Sequence, residues 1–219
     1  QNKHLETNMA SHQQNSKTKK EYRDQTSTVP WLFAALDSEF NFSIDLAATD
    51  ISAKCKVYFT PETDSLEQSW KNSVPVGKPA TGWLNPPYSD IHPWIEKAEQ
   101  EQQQGFTTCF LVFSDSSSKW WPQGRPCIIR EITGYYYEHE YKTGKRKGTT
   151  GKRWASGRIE FVNAETGETM KDPLNKPCCL IIFPALYKGP TLRESITKIA
   201  LMERGKLHIE KQSKNKGEK

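Results

Sequence analysis

The chain has no uninterrupted apolar stretch of the ~18 residues needed to cross a bilayer, so no membrane span is expected. Its start is polar and rich in Gln, Asn and Lys, with no signal-peptide pattern, which makes a cytoplasmic protein the expectation. Cysteine is sparse: Cys55, Cys109, Cys127, Cys178 and Cys179 are odd in number and show no C-x-x-C spacing. That excludes a disulfide framework and argues against zinc, so all five read as reduced structural thiols and no metal is expected. No internal repeat is present. Nor is there a large excess of one charge: a formal +5 over 219 residues suits a polyanionic partner without demanding one. What remains is enough chain for one α/β domain with its own core.

The most informative stretch is Thr81-Gly82-Trp83-Leu84-Asn85-Pro86-Pro87-Tyr88-Ser89. A short apolar strand runs into Asn-Pro-Pro-Tyr, and a helical pattern follows from His92. The prolines fix φ and donate no backbone hydrogen bond, and each forces its predecessor out of the α region. The loop is therefore stiff and extended, with carbonyls free to accept. Asn85 adds a side-chain acceptor, and Tyr88 adds a flat ring able to stack on a base. Two acceptors and an aromatic face can hold an exocyclic amino group. They favour the tetrahedral nitrogen of a methyl-transfer transition state over its planar ground state. The plain alternative is a strand-end turn with a packing tyrosine.

An apolar strand followed by Asn85-Pro86-Pro87-Tyr88 resembles the signature of S-adenosylmethionine-dependent amino-group methyltransferases. From about Tyr22 to about Pro184 the chain is similar to the phage-type DNA N6-adenine methyltransferases, the phage Dam family. The resemblance implies a Rossmann-like α/β domain with a mostly parallel central sheet and flanking helices. It also implies a cofactor, S-adenosylmethionine, and a partner, double-stranded DNA, methylated at adenine N6, with GATC-like target sites. Protection of phage DNA from restriction, in a bacterial or phage-infected cell, is the implied role.

The matching positions give candidate roles. Asn85 and Pro86 would accept from the target amino group, with Pro87 stiffening the loop and Tyr88 stacking on the base. Asp45 and Ala47 match an Asp-x-Ala-Ala pattern at a strand end, where the carboxylate would meet the ammonium of the cofactor. Asp64 and Leu66 match an Asp-x-Leu ahead of Trp70; Asp64 would take a ribose hydroxyl or the adenine amino group, and Leu66 would lie near the adenine. Thr28 matches a Thr-Pro pair that opens the domain, although Val29 stands where the proline would be. Thr28 and Asp64 could instead be helix caps. Phe113 also replaces a proline of the family pattern.

Organisation follows from patterning. Residues 1–24 are polar and expected to be unstructured. The methyltransferase domain spans 25–204. A helix is expected from Pro30 behind Ser27 or Thr28 as N-cap, with strands over Asn41–Asp50 and Val57–Thr60 and a helix from His92 to before Gly105. Phe106–Phe113 and Pro177–Phe183 read as buried strands, and Cys127–Thr133 as another strand. Residues 191–204 carry helical spacing, and the lysine-rich tail 205–219 reads as unstructured.

One segment interrupts the resemblance. Gly134 to Ala155 alternates aromatic residues, runs through Lys142–Arg153 without an acid, and returns to Trp154. This predicts an inserted β-hairpin with a basic tip, whose Lys145, Arg146, Lys147, Lys152 and Arg153 would grip phosphates. Lys119 and Arg158 are further DNA-contact candidates. The expected state is a monomer, with a dimer left open. Protein-glutamine methylation, cytosine-N4 methylation and an inactive DNA-binding relative are the competing readings.

Overall fold

The computed structural model describes residues 26–170 and 176–217. The segment 1–24 lies outside the described residues. Seven strands form the central sheet: β2 (Ile44–Asp45), β3 (Val57–Tyr58), β4 (Thr81–Leu84), β5 (Thr107–Phe113), β6 (Ile128–Thr133), β10 (Cys178–Phe183) and β11 (Leu192–Thr197). Their order is β11-β6-β10-β5-β4-β2-β3. Every neighbouring pair is parallel except those made by β10, which runs antiparallel to both β5 and β6. The fold is thus mixed α/β with a mostly parallel sheet.

Burial on both faces explains the continuous apolar strands. Successive side chains of a strand point to opposite faces. Phe110 and Val112 of β5, with Cys179, Ile181 and Phe183 of β10, face α2 (His92–Gln103) through Ile95 and Ala98. Cys109 and Leu111, with Cys178, Leu180 and Ile182, face α1 (Pro30–Phe40) through Leu32, Ala35 and Leu36. Gly82 in β4 is a close-approach position: a Cβ there would lie 2.7 Å from Leu46 Cδ1 and from the Phe106 ring.

Three local expectations are corrected. Ser27 and Thr28 do not cap α1, whose N-cap is Val29 without a side-chain bond. They belong to β1 (Thr26–Thr28), which pairs with β9 (Phe161–Asn163). Residues 191–204 are not one helix, because Leu192–Thr197 add β11 in parallel to the exposed edge of β6. Ladder hydrogen bonds there outweigh the helical spacing of the apolar residues. The described part of the tail is not unstructured: α3 (Lys198–Gly217) runs through it to Gly217. Leu201 is buried against α1, and Gly205 lies on the Trp31 carbonyl, where a Cβ would sit 2.0 Å from the oxygen. Packing, rather than the composition of the lysine-rich outer face, decides that segment.

Candidate functional site

The chain leaves β2 for β3 on one side and returns to β4 on the other side of β2. This is a topological switch point, where a crevice opens beyond the strands' carboxyl ends. A cleft of about 560 Å³ lies there. It brings together Thr28, Asp45, Ala47, Asp64 and the whole loop Asn85, Pro86, Pro87 and Tyr88. Asp45 is level with Trp83 in the β2–β4 ladder, so Asn85 begins just past it.

The β2 side carries the charge. Asp45 is only 2% exposed. Its Oδ2 accepts from the Lys54 N–H at 2.9 Å and its Oδ1 from the Ala47 N–H at 3.4 Å. Burial raises its carboxyl from the ordinary 3.8 to about 6, against the lowering effect of those two N–H groups. Lys54 lines the same cleft, and burial lowers its ammonium while the charge of Asp45 raises it. Nothing in the sequence pattern singled out Lys54; only the turn back from Asp45 places it. Thr28 is 1% exposed, and its Oγ1 has no hydrogen-bond partner among the described residues.

The opposite wall comes from the segment after β3. Asp64 takes a left-handed backbone (φ 45°) and caps the short turn Ser65–Glu67, its Oδ1 accepting from the Leu66 N–H at 3.3 Å. The capping alternative therefore holds, and Asp64 still lines the cleft. Leu66 does not; that turn puts Ser65 on the wall in its place. Trp70 Nε1 donates to the Ser65 carbonyl at 2.8 Å, and buried Glu101 of α2 accepts from the N–H groups of Trp70 and Lys71. The wall is thus pinned to α2, which also contributes Trp94.

In the Asn-Pro-Pro-Tyr loop, the Tyr88 hydroxyl donates to Asn85 Oδ1 at 3.0 Å. The Tyr88 ring stacks on Phe113 at the end of β5, centroids 4.4 Å apart and planes inclined by 29°. Phe113 is thereby a partner of the loop, which its mismatch to the family pattern had obscured. Trp121 is buried in the core with Trp120 packed against it, and neither lines the cleft.

The basic candidates lie outside the cleft. Lys119 and Arg158 are exposed, and the Arg158 carbonyl is held by Lys198 Nζ at 2.8 Å. The expected hairpin is present as β7 (Tyr135–Glu140) and β8 (Thr150–Ala155), with Lys152 opposite Glu138 and Arg153 opposite Tyr137. Lys145 and Arg146 occupy the tip turn Gly144–Arg146, Lys147 follows it, and the Arg146 guanidinium lies 5.4 Å from the Tyr141 ring centre. Because β10 is antiparallel to both β5 and β6, β6 runs parallel to β4 and β5. The hairpin therefore leaves β6 at the same sheet edge as Asn85, three strands away or roughly 14 Å at the usual spacing.

Such a sheet, with a cleft of small-molecule size carrying a buried carboxylate at its switch point and hydrogen-bond acceptors on one lip, defines a mixed α/β protein with a ligand-sized site at the carboxyl ends of its strands. A profile of the family described as DNA N-6-adenine-methyltransferase (Dam) matches residues 15–208, and the chain belongs to that family. A DNA N-6-adenine-methyltransferase of Haemophilus phage HP1 is 30% identical over 198 residues, covering 88% of this chain and 97% of the relative. One from Escherichia phage T1 is 27% identical over 169 residues, covering 76% of this chain and 65% of the relative. Among the described residues no cluster of His, Cys, Asp and Glu could hold a metal, and no helix is long and apolar enough to cross a membrane.

Proposed function

We propose that this chain methylates the N6 amino group of adenine in double-stranded DNA, with S-adenosylmethionine as donor and a Rossmann-like cofactor site. The observation that carries the reading is the meeting, in one cleft, of a buried carboxylate at the end of β2 and amino-group acceptors at the end of β4. The residues fit the cofactor. The cleft has the volume of a small-molecule site. Asp45 offers a carboxylate to an ammonium, Asp64 an acceptor to a hydroxyl or amino donor, and Thr28 a buried hydroxyl with no partner among the described residues. The small side chains of Ala47 and Ala48 let backbone and ligand approach closely.

When bound, the cofactor supplies an electrophilic sulfonium methyl together with its own leaving group. The chain's part is to bring the nucleophile. A target adenine leaves the duplex stack, and its amino group donates hydrogen bonds to Asn85 Oδ1 and the Pro86 carbonyl. Both acceptors lie at the cleft and need no reorganisation when charge develops on the nitrogen. The Tyr88 hydroxyl holds one of the two lone pairs of Asn85 Oδ1 and so competes with the amino group for that oxygen. The Tyr88 ring then serves as a stacking face. The hairpin's basic tip, at the same sheet edge, adds phosphate contacts.

Incubating the protein with methyl-labelled S-adenosylmethionine and unmethylated plasmid DNA, including GATC sites, tests the reading. Digestion to nucleosides should give labelled N6-methyladenine. Labelled N4-methylcytosine, or label in protein alone, would refute it.

A further inference from the structure

The cleft contains a charge that the roles above leave unused. Asp45 and Lys54 are nine positions apart, yet the chain between them folds back on itself. Thr49 and Ser52 close a turn, with Thr49 N–H donating to Ser52 Oγ at 2.9 Å and Ala53 N–H to the Thr49 carbonyl at 3.0 Å. The next N–H, of Lys54, closes onto Asp45 Oδ2. The backbone thus fixes the root of the lysine beside the carboxylate. Lys54 is half-buried and lines the cleft, where it feels the charge of Asp45 without a contact ion pair among the described residues. A cation drawn partly out of water with no carboxylate in direct contact is costly, and an arriving anion offsets that cost. Asp45 meanwhile spends one N–H contact on each oxygen, which leaves lone pairs for a further donor.

A carboxylate and an ammonium in one wall, near each other yet not collapsed into an ion pair, are complementary to a ligand that carries both charges on one carbon. Resting on the proposed use of S-adenosylmethionine, we infer that Lys54 binds the α-carboxylate of the cofactor while Asp45 takes its α-ammonium. The pair then reads the zwitterionic amino-acid end, and the rest of the cleft holds the nucleoside. Lys54 is a cofactor-binding residue in this scheme and does not touch the target base.

Calorimetric titration of the full chain with S-adenosylmethionine and with its decarboxylated analogue tests this directly. The analogue keeps the ammonium and sulfonium and lacks only the carboxylate. Wild type should bind S-adenosylmethionine more tightly than the analogue. Lys54→Met should lose about ten- to a hundredfold in affinity for S-adenosylmethionine, as expected for a charge-assisted hydrogen bond, and stay within about twofold for the analogue. Lys54→Arg should keep most of the preference for the carboxylate. Equal losses for both ligands in Lys54→Met, with an unchanged thermal melt, would overturn the assignment, as would no loss for either. An increase in KM for DNA with unchanged cofactor affinity would also overturn it, and would place the ammonium on a phosphate. Absence of S-adenosylmethionine binding by the wild-type chain would instead refute the proposed function.

Discussion

The Tyr88 hydroxyl donates to Asn85 Oδ1 at 3.0 Å while the Tyr88 ring lies on Phe113. One of the two lone pairs of the acceptor assigned to the target amino group is therefore taken by a side chain of the same loop. A stacked aromatic ring that donates to Asn85 is what a bound adenine would also be. A target amino group bound at Asn85 would compete with that hydroxyl, and the competition is measurable.

Tyr88→Phe removes the hydroxyl and leaves the stacking face. It should lower KM for DNA by a few-fold, on the order of the ~1 kcal/mol net value of one hydrogen bond, with kcat close to wild type. Tyr88→Ala removes the ring as well and should cost about ten- to a hundredfold in kcat/KM. Steady-state kinetics on one duplex substrate decides; a raised KM in Tyr88→Phe would show that the hydroxyl assists binding.

Asp45 sets a pH dependence. Burial raises its carboxyl from 3.8 to about 6, so in the free protein it is anionic above that pH and neutral below it. Affinity for the cofactor's ammonium should rise between pH 5 and pH 7 and level off above. The sign for stability is opposite. A folded-state value above the unfolded one means that stability falls as pH rises from about 4 through 6. Asp45→Asn should flatten both profiles, which calorimetric titration and thermal melts at several pH values will read. A cofactor affinity constant from pH 5 to 7 would contradict the pairing.

The hairpin tip is a separable electrostatic element. Replacing Lys145, Arg146 and Lys147 by alanine should weaken DNA binding at low salt and reduce the slope of log K against log salt by about one per lost phosphate contact. Cofactor affinity should not change, because none of the three lines the cleft. An unchanged salt slope would remove the hairpin from the DNA footprint.

Gly205 is the point where α3 crosses α1. A Cβ there would meet the Trp31 carbonyl oxygen, which belongs to backbone and cannot turn aside. Gly205→Ala should destabilise the fold by about 1–3 kcal/mol despite its higher helix propensity. An unchanged melting temperature would mean that α3 does not pack in this way.

How far the sequence could be read depended on how local the signal was. Asn85–Tyr88 was legible because two prolines stiffen a loop whatever surrounds it. The strands β5 and β10 were legible because a sheet covered on both faces needs continuous apolar runs. β11 and the continuation of α3 were not, since an edge ladder and a glycine-mediated helix crossing are tertiary events. Lys54 escaped notice for the same reason: a lysine in a polar turn reads as solvated until the turn closes onto Asp45. Leu66 shows the converse, a pattern match that the turn capped by Asp64 moves off the cleft wall.

The central claim is that Asn85 holds the amino group during transfer. Single-turnover methylation of a duplex by wild type and Asn85→Ala, with the product identified as a nucleoside, tests it most directly. The expected result is N6-methyladenine from wild type and a rate lower by about 10²–10³-fold in Asn85→Ala, the size of effect seen when one transition-state hydrogen-bonding group is removed, with cofactor affinity unchanged. Transfer by Asn85→Ala at the wild-type rate would contradict it.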